Sequence, residues 1–322
     1  MHGRVMSTVA SLALLVSLSA APAAPQAPRV FAPDVVSSAH EEFGAAFTPD
    51  GNTVYFNRAD PTRYTFQLIM VSHFRSGRWT KPEVAPFSGR WRDIDPALSP
   101  DGRRLFFASN RPLKEGEPVR KDFDVWMVER EGSGWSAARH VPEVSTGESE
   151  TNTSLTADGT LYVTRMPVGS GGKRAIHRHA WKEGRYGPGE KLPAPINDAT
   201  HGAGNHFISP DERYLVFSSE DRPGSLGRYD LWVSFRQEGG WSTPRNLGAA
   251  VNQGDVLTPV VVPARGVLVY ASRPPFQKEP RGKPYTTEEF EARLRSPGNG
   301  QGDLYEVALS AVGLATDTAA AR

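Results

Sequence analysis

The sequence writes one short stretch five times, and that repetition limits the possible folds more than any other property. It reads "FTPDGNTVYFNR" from Phe47, "LSPDGRRLFFASNRP" from Leu98 and "LTADGTLYVTRMP" from Leu155. It reads again as "ISPDERYLVFSSEDRP" from Ile208 and, most worn, as "VVPARGVLVYASRP" from Val261. Asp50, Asp101, Asp158, Asp211 and Ala264 hold the same place in the five copies, 51 to 57 residues apart. A repeat of this period is one supersecondary unit in an array.

Each copy predicts a strand, a tight turn and a second strand. Proline presets φ at one turn position and glycine supplies positive φ at the next, so the unit is a β-hairpin. A third strand follows as "DVWMVER" from Asp124, "DLWVSFR" from Asp230 or "DLYEVAL" from Asp303. A fourth starts at an aromatic corner: Trp79, Trp135, Tyr186 or Trp241. Four antiparallel strands per repeat of this length describe one blade of a propeller. The expected fold class is all-β: a five-bladed β-propeller of four-stranded antiparallel blades. "RVFAPDVVSS" from Arg29 precedes the first hairpin and has no blade of its own, and the last repeat lacks a fourth strand. The N-terminal strand is therefore expected to complete the fifth blade and close the ring, which removes an open edge.

Three segments flank or interrupt the repeats. Residues 1–23 combine Arg4, the apolar "VASLALLVSLSAA" and small residues around Ala20, Ala21 and Ala23, the pattern of a secretory signal peptide and too short for a spanning helix. The expected location is periplasmic or secreted, with no membrane span. Residues 24–312 form the propeller, with an insertion at about 276–298 in which "TTEEFEARLR" from Thr286 predicts a capped helix. Residues 313–322 read as a loose, disordered tail. The chain has no cysteine, hence no disulfide and no lipid-anchor thiol. A net charge of +1 with no stripe of Lys or Arg excludes nucleic acid as a partner, because nucleic acid is bound through clustered cationic charge.

Strand topology puts the useful concavity on one face of the disc, where the innermost strands begin; the Asp-Gly turns lie on the other. Eight residues before the turn aspartates stand Glu42, Asp93 and Glu150, with Ala203 in the fourth copy and Asp255 near that place in the fifth. Arg58, Arg111, Arg165, Arg222 and Arg273 follow the second strands on the same face. Two readings of this set are open. In one, Glu42, Asp93 and Glu150 are catalytic carboxylates, since glycoside hydrolysis needs two such groups about 5–9.5 Å apart, unless they instead hydrogen-bond backbone N–H groups or the ring of arginines. In the other, each arginine braces its own blade by pairing with the aspartate that opens the third strand: Arg111 with Asp124, Arg222 with Asp230, Arg273 with Asp303. Gln67 and Ala175 stand where blades 1 and 3 need that aspartate, so Arg58 and Arg165 become the candidates for ligand contact. A planar, always charged guanidinium suits a carboxylate or phosphate.

Trp91 falls off the repeat register beside the same mouth and could stack on a sugar or a partner side chain. The corner tryptophans are periodic and read as packing between blades. His206 joins the ligand candidates, and His40, His201 and His206 are the histidines near innermost-strand starts that could converge on a metal. No tight metal-ligand spacing appears, and no metal or other cofactor is expected. Asp93 and Asp95 could offer oxygens to Ca²⁺, but the twelve-residue Ca²⁺ loop is missing. A G-x-S-x-G elbow, a phosphate-binding loop and a cysteine nucleophile are all absent.

The run "SPDG…FFASNRP…DVW…GWS" resembles the WD40-like (PD40) propeller repeat of TolB-type C-terminal domains and of many exported bacterial proteins. The ending "SPGNGQGDLYEV" looks like the same family. The resemblance covers about residues 29–310. It implies the propeller fold and, by the family's bias, a non-catalytic binding or scaffold protein. The expected function is thus an exported propeller that recognises a protein, peptide or envelope glycan at its mouth face. The alternative is a carbohydrate-active enzyme, a glycoside hydrolase or polysaccharide lyase.

Overall fold

The computed structural model describes residues 26–60, 65–169, 172–277 and 279–314. The expected signal peptide, residues 1–23, and the end of the expected tail, residues 315–322, lie outside them. Five small antiparallel sheets form five blades. Their innermost strands are Glu41–Phe47, Asp93–Leu98, Ser149–Leu155, Ala203–Ile208 and Asp255–Val262. Each lies against its two neighbours in sequence, and the fifth returns to the first, so the ring is closed. The repeated turn joins each of them to the second strand of its blade, for example Thr53–Ala59 in blade 1 and Leu161–Met166 in blade 3.

The turn chemistry is local and uniform. Asp50 accepts from the Asn52 amide at 3.0 Å and from the Thr48 hydroxyl, and Asp158 repeats both contacts with Thr160 and Thr156. These hydroxyls hold both carboxyls below the usual range. In blade 5 the aspartate is lost, and a short 3-10 turn, Pro263–Arg265, replaces it.

The chain's two ends meet in blade 5. Arg29–Val30 pairs with Asp303–Ala308 antiparallel, Arg29 opposite Glu306. Two residues of ladder are a slender clasp. Phe31 strengthens it: it is fully buried, donates its amide to Leu304 at 2.7 Å and meets Phe47 and Trp79 edge-on. The corner aromatics pack across blade boundaries. Trp135 of blade 2 donates its indole N–H to the Tyr55 hydroxyl of blade 1 at 3.0 Å, and Tyr186 of blade 3 contacts Phe106 of blade 2. Within the blade 5 insertion, the helix Thr287–Leu294 carries a capping box made by Thr286 and Glu289. Among the described residues no helix is long and apolar enough to cross a membrane.

Every innermost strand carries a bulge at the same place. The residues there have positive φ: Gly44, Asp95, Asn152, Asn205 and Thr258, between 39° and 54°. The ladder register slips at each. Positive φ is costly for residues other than glycine, and most of all for a β-branched one. Hydrogen bonds between blades offset that cost. Thr258 Oγ1 accepts from the Gly44 amide at 3.1 Å, Asp95 Oδ2 from the Asn152 amide at 3.1 Å, and Asn152 Oδ1 from the His206 amide at 2.5 Å. The channel-side edge of an innermost strand has no strand partner, and these side chains satisfy it instead. Blade 1 has only Gly44 at this place, and Asn57 supplies the missing acceptor, taking the Asp95 amide at 2.7 Å. A Cβ on Gly44 would stand 2.7 Å from the Asn57 Oδ1 atom, so the glycine is required by its substitute.

Candidate ligand channel

The bulge ring narrows the central channel to a polar waist. On the turn side of the waist lies a cavity of about 210 Å³. Its wall is largely apolar, with Phe47, Leu98, Leu155, Phe207 and Val260 among its residues, and Pro49, Pro100, Pro210 and Pro263 of the repeated turns stand at its rim. On the strand-start side a smaller cavity of about 110 Å³ includes Glu41, Asp255 and Arg273. Asp95 and Thr258 line both cavities. The larger concavity therefore opens on the turn face, opposite to the mouth that the sequence favoured. The turns themselves build it, because four prolines and apolar residues at fixed register leave an apolar cup that no side chain fills.

The mouth carboxylates lie elsewhere. Glu42, Asp93 and Glu150 are each 0% exposed and point into their own blades. Glu42 accepts from the Ser38 hydroxyl at 2.7 Å, the Ser38 amide at 3.0 Å and Arg58 at 2.9 Å. Glu150 has the same set in blade 3: the Thr146 hydroxyl at 2.6 Å, its amide at 3.0 Å and Arg165 at 3.0 Å. Burial pushes both carboxyls up, against the pull of those hydroxyls and guanidinium groups. Asp93 accepts from Arg111 at 2.6 Å, Ser109 at 2.7 Å and Ser88 at 2.8 Å.

The arginine braces exist, and in blades 1 to 3 they are made with the mouth carboxylates rather than with the aspartates that open the third strands. Arg58 and Arg165 stand directly across the strand pair from Glu42 and Glu150, so neither lacks a carboxylate. Arg111 takes Asp93 rather than Asp124. In blade 4, where Ala203 replaces the carboxylate, Arg222 turns to the carbonyls of Pro195 and Ile196. Arg273 reaches across the blade boundary to Glu41. The aspartates that open the third strands order the preceding loops instead. Asp230 accepts the amides of Leu226 and Gly227, Asp303 accepts that of Gly298, and Asp124 pairs with Arg120 and His140. Cross-strand register fixed these choices, and spacing along the chain does not reveal it.

Of the remaining candidates, His206 reaches the channel and Trp91, His40 and His201 do not. Trp91 is half-buried, with the guanidinium groups of Arg90 and Arg111 over its ring at 4.4 and 4.9 Å. His40 is exposed and bonded to Ser38, and His201 is paired with Asp198 at 2.9 Å. His206 is buried at the blade 3–blade 4 boundary and belongs to the lining of the turn-side cavity, with Nδ1 3.1 Å from the Thr164 hydroxyl. Burial drives its pKa down to about 3, so it is a neutral imidazole. The three histidines do not converge, and among the described residues no group of three or more His, Cys, Asp or Glu is placed to hold a metal ion.

Asp95, which the sequence offered only beside Asp93 as an oxygen donor to Ca²⁺, stands at the waist itself. It is 6% exposed, and burial pushes its carboxyl up to about 6, with only the Asn152 amide pulling the other way. A composition signal was available, since it is the single acid in the bulge column, but the column itself emerges only once the register shifts are known.

No family model matches the chain, and no curated protein matches it. Solved structures do. The chain is similar to a glycoside hydrolase at 10% identity and a TM-score of 0.54, over 87% of this chain and 91% of that one. It is similar to an alpha-L-arabinofuranosidase from Lactobacillus brevis at 13% identity and a TM-score of 0.51, over 85% and 92%. A puromycin-hydrolyzing peptidase from Mycobacterium tuberculosis aligns at 16% identity and a TM-score of 0.42, and the chain spans only 36% of its length. At such identities the likeness is one of propeller fold alone.

Proposed function

We propose that this protein is an exported, non-catalytic binding propeller of the WD40-like, TolB-type kind, and that its ligand enters the central channel. The observation that carries this reading is the state of the three mouth carboxylates. Each is fully buried and engaged by an arginine of its own blade, so none of the three is free to protonate a leaving group or activate a water. A pocket with apolar walls and few convergent polar groups is the usual form of a small-ligand or side-chain site, and the turn-side half of the channel has that form. Export rests on the N-terminal stretch from Arg4 to Ala23, and a peptide, protein or envelope glycan remains the partner class. The hydrolase names among the structural neighbours supply the competing reading, in which the chain acts on a glycan.

Thermal-shift screening of the mature protein against peptides and glycans tests the two together. A ligand response that Ala97→Leu weakens, by filling the channel wall, supports binding there. Turnover of a glycan that Glu150→Gln abolishes while the fold survives would overturn the non-catalytic reading.

A further inference from the structure

Asp95 carries a charge that its place in the fold does not need. Its structural task is to accept the Asn152 amide. One blade on, Asn152 performs the same task for His206 with a neutral amide oxygen. An asparagine at 95 would serve equally and would avoid the cost of burying a carboxylate. Asp93, two residues upstream and as deeply buried, has Arg111 against it. Among the described residues no lysine, arginine or histidine is paired with Asp95, and no nearby charge offsets its burial. Asp95 lines the channel on both sides of the waist. An unpaired acid at the junction of two cavities points to a ligand that brings the missing positive charge.

Resting on the reading of the channel as a binding site, we propose that it recognises an organic ammonium. The protonated amine sits at Asp95 and an apolar body fills the turn-side half. The wall of Phe47, Leu98, Phe207 and Val260 suits such a body. A cavity of about 150 Å³ suffices for benzene, and this half offers about 210 Å³, room for a ring and a short chain. A desolvated ammonium–carboxylate hydrogen bond is among the strong ones. An inorganic cation fits less well. Asn152 Oδ1 and Thr258 Oγ1 at the waist already take main-chain amides, and among the described residues no group of three or more His, Cys, Asp or Glu is placed to hold a metal ion.

The test is calorimetric titration at neutral pH with 2-phenylethylamine, its neutral isostere 2-phenylethanol, and calcium chloride. Wild type, Asp95→Asn and Ala97→Leu are compared, each after a melting curve has shown a cooperative transition. The proposal expects the amine to bind wild type at least tenfold more tightly than the alcohol. It expects a loss of tenfold or more in each variant, with the alcohol indifferent to Asp95→Asn. Equal binding of amine and alcohol would overturn recognition of charge while leaving the channel as a binding site. A saturable calcium response lost in Asp95→Asn would overturn it in favour of an inorganic cation. Binding of no probe would overturn the ammonium proposal outright, and the broader reading would then stand or fall on the peptide and glycan screen.

Discussion

Asp93 and Asp95 stand two residues apart on one strand, both buried, and they differ in everything else. Asp93 faces its own blade and is held by one guanidinium and two hydroxyls. Asp95 sits on the bulge, at the waist of the channel, with a single backbone amide. The first arrangement recurs in three blades as Asp93–Arg111, Glu42–Arg58 and Glu150–Arg165. The second occurs once in the bulge column. Repetition of a buried charge with its counter-charge marks what every blade needs to hold its loops. A lone buried charge without one marks a demand from outside the fold.

The comparison can be broken most forcefully at Arg111. Removing one partner of a buried ion pair leaves the other uncompensated and costs about 3–5 kcal/mol. Arg111→Ala should therefore lower unfolding free energy by that order in urea titrations, because Asp93 is fully buried. A loss near zero would show that Asp93 is not held as a charged brace. Gly44→Ala should come next. Alanine at positive φ costs about 1–2 kcal/mol before any clash, and here its Cβ would also press on Asn57, which holds the Asp95 amide. Stability within a few tenths of wild type would mean that the waist ring is not a strained, interlocked unit. Trp91→Ala is the mildest. Cation–π contact at a partly exposed site contributes about 0.5–1 kcal/mol, and the expected change in Tm is correspondingly small, since the ring covers Arg111 rather than filling a core.

The sequence made the propeller legible because its evidence is local. The Ser/Thr-Pro-Asp-Gly turn encodes its own hydrogen bonds, as Thr48–Asp50–Asn52 shows, and five copies of a four-strand unit admit few arrangements. The clasp of Arg29–Val30 onto blade 5 followed from counting strands. The site was legible only in part. Counting eight residues back from each turn found the right column, Glu42, Asp93 and Glu150. It could not give the direction of those side chains, because a bulge lies between the count's origin and its end and each bulge reverses the alternation. The pairing of Arg58 with Glu42 is a cross-strand contact between residues that sequence spacing treats as unrelated. The place of Asp95 at the waist was hidden for a further reason. Its column reads Gly, Asp, Asn, Asn, Thr, which carries no shared chemistry until positive φ is seen to unite it.

The most direct measurement is urea unfolding of wild type, Asp93→Asn and Asp95→Asn at pH 5 and pH 8. The folded state raises the Asp95 carboxyl from its ordinary value near 4 to about 6. Its contribution to stability is therefore fully present below the ordinary value and is lost as pH rises through about 6. A shift of this size corresponds to about 2–3 kcal/mol. The account predicts that Asp95→Asn is more stable than wild type at pH 8 and that about half of the gain disappears at pH 5. It predicts that Asp93→Asn is less stable than wild type at both. An Asp95→Asn protein less stable than wild type at pH 8 would contradict it, because the charge would then belong to the fold.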